Sequence, residues 1–358
     1  MRKAAKIIGI NLAFLLVVGI VAELIFGGWI GTNYGTLVIP KDFKRRFDVS
    51  NLYDPGTPDG MIVYHRDKNG FRGEYDDPSK IDILTIGGST TNEIFVADGR
   101  TWSDMLAKAF AEDGKDVTVV NAGVDGQTTV GNAKNFELWF PLVPNLKAKY
   151  VLVYVGINDM ALLKTDAMSK QDRMSDSRRS VKQYLINNSV LYSMFRNVRG
   201  YIRARDANLI HTHENYDGTN WTLPVTQPDL AALEREWAKE LDAFEQRLRD
   251  LVAAIREFGA KPILATQHMG NYRIREGKVY GVPKPDGSVD IADYARLSAV
   301  NKRTLQVCED VGAICIDVAN GVRFEDGDNY DGLHTTPQGS EKVARYMYSR
   351  LKDAISLE

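Results

Sequence analysis

The sequence predicts an α/β protein with a parallel sheet covered by helices on both faces. Two observations carry that expectation. Short, β-branched, almost wholly apolar runs recur along the chain, as buried strands of parallel sheets require. Helical patterns stand between those runs, and strand–helix alternation leads to a layered α/β fold.

The first run is "IDILTIG", residues 81–87, in which Ile81, Ile83, Leu84 and Ile86 read as a buried strand. "DVTVVNAG" (116–123), "YVLVYVG" (150–156), "KPILATQ" (261–267) and "AICIDV" (313–318) read as the second to fifth strands. The clearest helical pattern is 229–258, where Leu230, Leu233, Trp237, Leu241, Phe244, Leu248, Val252 and Ile255 recur three or four apart. Crossovers between parallel strands are expected to be right-handed. Residues 31–80 read as an extended juxtamembrane segment, with turns at "DPGTPDG" (54–60) and "DKNG" (67–70). The stretch 160–228 is long and polar, carries "SDSRRSVKQ" and "HTHENYDGTNW", and reads as a lid-like insertion over the strand ends.

The amino-terminal thirty residues have a different character. Arg2, Lys3 and Lys6 precede an apolar run from Ile7 to Trp29, interrupted by Asn11 and Glu23. About 20 such residues suffice to cross a bilayer core. Ala22, the best candidate cleavage position, has Ile20 where a signal-peptide site wants a small residue, so an uncleaved membrane anchor over 1–30 is expected. The leading cations place the amino terminus in the cytoplasm and the body of the chain, 81–358, outside it. The cations of "KDFKRR" (41–46) argue the other way, but the residues nearest the outer end of the span are uncharged. Glu23 is expected to face a partner helix or, near the outer end, to reach water.

Composition narrows the function classes. With 358 residues, 44% hydrophobic and 26% charged, the chain is an ordinary globular protein, and a net charge of -2 offers nothing to nucleic acid. Cys308 and Cys315 are read as two buried free thiols rather than a disulfide, because bridge geometry is demanding.

Ser89 follows Gly87 and Gly88 at the carboxyl end of the first strand, the edge where open α/β sheets hold their ligands. A serine there caps a helix or serves as a nucleophile, and a nucleophile needs a base. Of five histidines, His334 stands three residues after Asp331 in "NYDGLHTTPQG", a spacing that turns both side chains the same way. An oxyanion also needs donors. Gly126 in "NAGVDGQTT" and Asn158 in "VYVGINDM" follow the second and third strands and offer a backbone N–H and a side-chain amide. Three strand ends and one late loop thus deliver a nucleophile, donors and a base to one sheet edge.

These four segments resemble the four blocks of the SGNH hydrolases, the GDSL-like esterase superfamily, over roughly residues 81–355. Ser89 matches the block I serine, within "GGST" rather than "GDS". Gly126 matches the block II glycine, Asn158 the asparagine of G-x-N-D, and Asp331 and His334 the late D-x-x-H. The resemblance implies a three-layer flavodoxin-like fold with a five-stranded parallel sheet. It also implies a Ser89–His334–Asp331 triad with an oxyanion hole from Ser89, Gly126 and Asn158, and metal-free hydrolysis of acyl esters on sugars or lipids.

Other signals are weaker. His211 and His213 form an H-x-H that nothing in the chain completes as a metal site. "EDGDNYDG" (325–332) has Tyr330 where a calcium loop needs an oxygen ligand and lacks glycine at the sixth loop position, and "GGSTTN" is no P-loop, so no cofactor is expected. Gln267 and His268, after the fourth strand, are expected to touch substrate. The leading function is a membrane-anchored extracytoplasmic esterase removing O-acyl groups, O-acetyl above all, from carbohydrate. A lipid esterase, an O-acyltransferase and a non-catalytic glycan-binding relative are the alternatives.

Overall fold

A computed structural model describes residues 2–26, 39–160, 189–192, 194, 195, 214, 216–289 and 291–356. The chain divides into two compact units, 1–38 with 166–211, and 39–165 with 212–358. In the first unit α1 (Arg2–Phe26) is a helix of 25 residues whose apolar side chains, among them Ile7, Phe14, Leu16, Ile20 and Leu24, are exposed. Among the described residues no helix is long and apolar enough to cross a membrane. Glu23 does meet a helical start: its carboxylate accepts Ser189 Oγ at 2.5 Å and the N–H groups of Val190 and Leu191 at 3.2 and 3.0 Å. A carboxylate on the free N–H groups of a first helical turn satisfies donors that the helix cannot satisfy itself.

The second unit opens with β1 (Phe43–Asp48) and β2 (Met61–Arg66), an antiparallel hairpin. Then follow β3 (Ile81–Gly87), α2 (Ser89–Asn92), α3 (Trp102–Glu112), β4 (Val119–Asn121), α4 (Thr129–Leu138) and β5 (Ala148–Tyr154). After the insertion come α5 (Leu230–Glu236), α6 (Ala238–Glu257), β6 (Lys261–Ala265), a second hairpin of β7 (Tyr272–Arg275) and β8 (Lys278–Gly281), and α7 (Ala292–Asp310). The chain finishes with β9 (Ile314–Ile316), α8 (Val318–Gly321) and α9 (Pro337–Leu351).

All five expected strands form, and they pair in parallel in the order β4-β3-β5-β6-β9. This is the flavodoxin-like order, which reverses direction between β3 and β5, and the crevice at that reversal is where such sheets bind ligands. Alternation along each strand feeds two cores. Ile83, Leu152 and Ile263 pack with Trp102, Leu106 and Phe110 of α3 and Val343 and Met347 of α9. Leu84, Val151 and Leu264 turn to the other face; they are fully buried, as are Leu241, Phe244 and Leu248 of α6 and Leu297 and Val300 of α7. The single helix read over 229–258 is broken at Trp237, which caps α5 with its N–H on Leu233 O at 3.0 Å before α6 begins.

Two expectations are corrected. Residues 39–80 are not an extended linker: the hairpin packs into the unit through Val49, Leu52, Ile62 and Tyr64, all nearly inaccessible to water. Cys308 and Cys315 are not free thiols but a disulfide with Cα atoms 5.8 Å apart. The tight return at Gly312 brings the end of α7 beside β9, with Ala313 N–H on Cys308 O at 3.0 Å. Of the insertion at 160–228, the greater part, with His211 and His213, lies outside the described residues.

Candidate active site

The site forms where β3 gives way to α2. Gly88 takes the cap position and Ser89 is the first helical residue. Glycine leaves room at 88: a Cβ there would lie 2.3 Å from Asn158 Nδ2 and 3.2 Å from Gln127 O, so the amide would have to shift. Side-chain carbons do not approach other atoms that closely, so the bare backbone lets the asparagine amide sit directly against the serine turn.

The D-x-x-H loop reaches the same point from the other end of the chain. His334 Nε2 lies 2.8 Å from Ser89 Oγ. His334 Nδ1 lies 2.8 and 3.0 Å from the two oxygens of Asp331. Asp331 Oδ1 also accepts the N–H groups of Leu333 and His334, at 2.8 and 2.7 Å, which holds the carboxylate in place. The ring of Tyr330 stacks on the imidazole, with centroids 5.6 Å apart and planes inclined by 11°. Both His334 and Asp331 side chains are largely shielded, at 10% and 13% exposure, so their contact is little weakened by solvent. A carboxylate on Nδ1–H orients the ring so that Nε2 faces the serine hydroxyl, the arrangement in which an imidazole can accept a hydroxyl proton.

Asn158 and Gly126 stand on the adjacent turns. Asn158 donates one amide hydrogen to Gln127 O at 2.9 Å, which ties the turn after β5 to the turn after β4. Gly126 has φ +73°, the left-handed conformation in which glycine is unstrained. Asp159 strengthens the junction. Fully buried, it accepts Thr129 Oγ1 at 2.7 Å and the Thr129 N–H, and Arg247 lies 3.6 Å away. Burial pushes its carboxyl pKa up, opposed by the Thr129 bonds and the Arg247 charge.

Gln267 and His268 do not take the substrate-facing role expected of them. Gln267 is 2% exposed, and its amide is consumed internally. Oε1 accepts Ile157 N–H at 2.7 Å, while Nε2 donates to Thr90 Oγ1 at 2.8 Å and Tyr154 O at 3.2 Å. It therefore braces the residue before Asn158 against the residue after Ser89. His268 is buried, stacks on Phe324 at 3.9 Å, and its pKa is pushed down to about 3 by desolvation and then by the Arg273 charge. A neutral ring in that position is packing.

Sequence reasoning missed the residues that hold α2. Asn92 Oδ1 accepts Tyr64 OH at 3.0 Å and Arg66 Nη2 at 2.7 Å. Arg72 donates to the carbonyls of Asn92, Glu93 and Val96 and pairs with Asp98 at 2.9 Å. Glu93, 3% exposed, bridges to α3 and to the His334 loop. Their partners are distant in sequence, so no local pattern marks them. Among the described residues no group of three His, Cys, Asp or Glu converges as a metal site.

A search of curated sequences finds no match. Solved structures that resemble the chain include TesA, at 15% identity, covering 76% of this chain and 99% of that one with a TM-score of 0.41. The esterase EstA from Pseudoalteromonas sp. follows at 14% identity, 76% and 97% coverage and 0.41. Axe2, an acetylxylan esterase from Geobacillus stearothermophilus, shows 15% identity, 76% and 96% coverage and 0.42. Residues 85–342 match the GDSL-like Lipase/Acylhydrolase family, and that span runs from the strand before Ser89 past His334. The chain belongs to this family of hydrolases.

Proposed function

We propose that the protein is a serine esterase that removes O-acyl groups, principally O-acetyl, from carbohydrate. The observation that carries this reading is the 2.8 Å contact of His334 Nε2 with Ser89 Oγ, backed by Asp331 on Nδ1. His334 takes the Ser89 proton as Oγ bonds to the acyl carbon. The oxyanion is held by the N–H groups of Ser89 and Gly126 and by the amide hydrogen of Asn158 not given to Gln127. As the C–O bond to the alcohol breaks, His334 returns the proton to the leaving oxygen. Water then adds to the acyl-enzyme, giving a proton to His334, and the acid departs as Ser89 recovers its own.

Carbohydrate is favoured over lipid because the insertion at 160–228 is polar and basic rather than apolar. The location is read as extracytoplasmic and membrane-associated. Cations at Arg2, Lys3 and Lys6 before the exposed apolar face of α1 support association, and the Cys308–Cys315 disulfide supports an oxidising compartment.

The test is p-nitrophenyl acetate against p-nitrophenyl octanoate, with Ser89→Ala as control, followed by acetate release from O-acetylated polysaccharide. Serine-dependent turnover that favours acetate is expected. Preference for octanoate would move the reading to lipid, and acetyl transfer to added sugar in place of hydrolysis would make it a transferase. Absence of serine-dependent turnover on every ester would leave only the glycan-binding alternative.

A further inference from the structure

Glu93 stands at the centre of a bonding pattern that the esterase steps do not use. It directly follows α2 and closes that helix in the left-handed conformation, φ +50°, with its N–H on Ser89 O at 2.8 Å. A residue other than glycine is held there only when its surroundings over-determine it. The surroundings are the ends of its own carboxylate. Oε2 accepts the N–H of Trp102, the first residue of α3, at 2.7 Å. Oε1 accepts Thr335 Oγ1 at 2.9 Å and Ser340 Oγ at 2.5 Å. Thr335 is bonded in the chain to His334, and Ser340 lies on the first turns of α9. The two hydroxyls are themselves 2.9 Å apart. One buried side chain thus spans the serine turn, the start of α3 and both ends of the segment that leads away from the imidazole.

We propose that Glu93 is a positioning residue for the reaction: as a carboxylate it sets the separation of Ser89 Oγ and His334 Nε2 by tying the helix of one to the loop of the other. The inference rests on the reading of Ser89 as nucleophile and His334 as base. A carboxylate suits the role because it only accepts, so it takes three donors without presenting a hydrogen of its own. Charge-assisted bonds of this kind are shorter and stronger than neutral ones. An amide or a protonated acid must turn a hydrogen toward Trp102 N–H or toward the two hydroxyls, and the hydroxyls must then reverse.

The charged state is also held against a cost. Burial raises the Glu93 pKa to about 7, opposed by the bonds from Ser340, Trp102 and Thr335 and by the Arg72 charge. The other ionisable groups acting from the packed elements are Tyr53, Tyr154 and Tyr330, whose hydroxyls are themselves pushed up, first by burial. Asp98 sits on the far side of Arg72. Below neutrality, therefore, Glu93 gains a proton and the tie weakens.

Two variants test this, measured as kcat and KM on p-nitrophenyl acetate together with the labelling rate of Ser89 by a fluorophosphonate. Glu93→Gln keeps size and removes charge. Thr335→Val cuts only the arm next to His334 and leaves Trp102 and Ser340 bonded to Glu93. Each is expected to lower kcat and the labelling rate about tenfold at pH 8 with KM unchanged. Glu93→Gln is also expected to shed one ionisation from the acid limb of the kcat profile. If either folded variant keeps the wild-type kcat and labelling rate, or if Glu93→Gln keeps the full acid limb, the proposal falls. Should Glu93→Gln not fold, Thr335→Val decides. Turnover that survives Ser89→Ala would instead overturn the esterase reading, so the two failures are told apart.

Discussion

Gly88→Ala is the substitution whose consequence can be worked most directly from distances. The new Cβ would stand 2.3 Å from Asn158 Nδ2 and 3.2 Å from Gln127 O. Ordinary carbon–nitrogen contact begins near 3.4 Å, so the amide must retreat by about 1 Å. The same Nδ2 is bonded to Gln127 O at 2.9 Å, so the partner that would absorb the shift is crowded by the same methyl. A displacement of that size costs on the order of 10²-fold in rate where it misplaces a reacting group. Outright loss of an oxyanion donor costs about 10²–10³-fold, or roughly 3–4 kcal/mol of barrier. The strain on stability should be about 1–3 kcal/mol, which a domain with a margin of about 5–15 kcal/mol survives.

The assay is kcat and KM on p-nitrophenyl acetate beside Tm, for Gly88→Ala, Asn158→Ala and the double variant. If the methyl acts through the amide, the double variant is no slower than Asn158→Ala alone, because the donor it displaces is already gone. A folded Gly88→Ala enzyme with wild-type kcat would refute the reasoning. So would an equal loss in both backgrounds, since the methyl would then be acting on something other than Asn158.

The disulfide closes a short loop, Cys308 to Cys315, a separation of 7 residues. Loop-closure entropy for so few residues gives about 2.5 kcal/mol, so paired Cys→Ser substitution is expected to lower Tm by about 5 °C, read by calorimetry, while kcat is unchanged; an unchanged Tm would show that the bridge adds nothing. Glu93 gives a pH dependence of defined sign. Its folded pKa, about 7, is above the ordinary 4.5, so the folded state binds more protons in that interval and stability falls as pH rises from about 4.5 through 7. The wild type should lose about 3 kcal/mol relative to Glu93→Gln across that window, measured by urea unfolding at both ends, and parallel curves would contradict the assignment.

The core of the fold was legible because it is written locally. Ile81 to Ile86 and Tyr150 to Val155 are buried on both faces of the sheet, and a strand in that setting must be apolar at nearly every position. Ser89 and Asn158 were legible because each follows a strand end, and Asp331 and His334 because they stand in a short, recognisable string before α9. The misreadings share a different cause. Residues 39–80 look like a linker because β1 carries Lys44, Arg45 and Arg46 on an exposed edge and the buried arginines, Arg66 and Arg72, find their partners far along the chain. Gln267 and His268 follow a strand at the binding edge, and position alone could not say that their polar atoms face inward. The cysteines required knowing that the chain doubles back at Gly312.

Those buried arginines change what the catalytic unit is. An α-helix of four residues cannot sustain itself, because nucleation consumes more conformational freedom than a single turn returns in hydrogen bonds. Helix α2 has four residues, Ser89–Asn92, and must present Ser89 Oγ to an imidazole at hydrogen-bond distance. It is held from outside. Arg66 and Tyr64 grip the Asn92 side chain, Arg72 takes the carbonyls that leave the helix, and Asn92 Nδ2 reaches Asp125 at 2.8 Å. A guanidinium with five donors can satisfy several carbonyls at once where a lysine satisfies them singly. Arg66, Tyr64 and Arg72 all lie before β3, outside the span 85–342 that carries the family signature. The geometry of the serine therefore depends on the β1–β2 hairpin as much as on the sheet. The structural domain begins at residue 39, and the segment that reads most like a tether is the one that shapes the Ser89 turn.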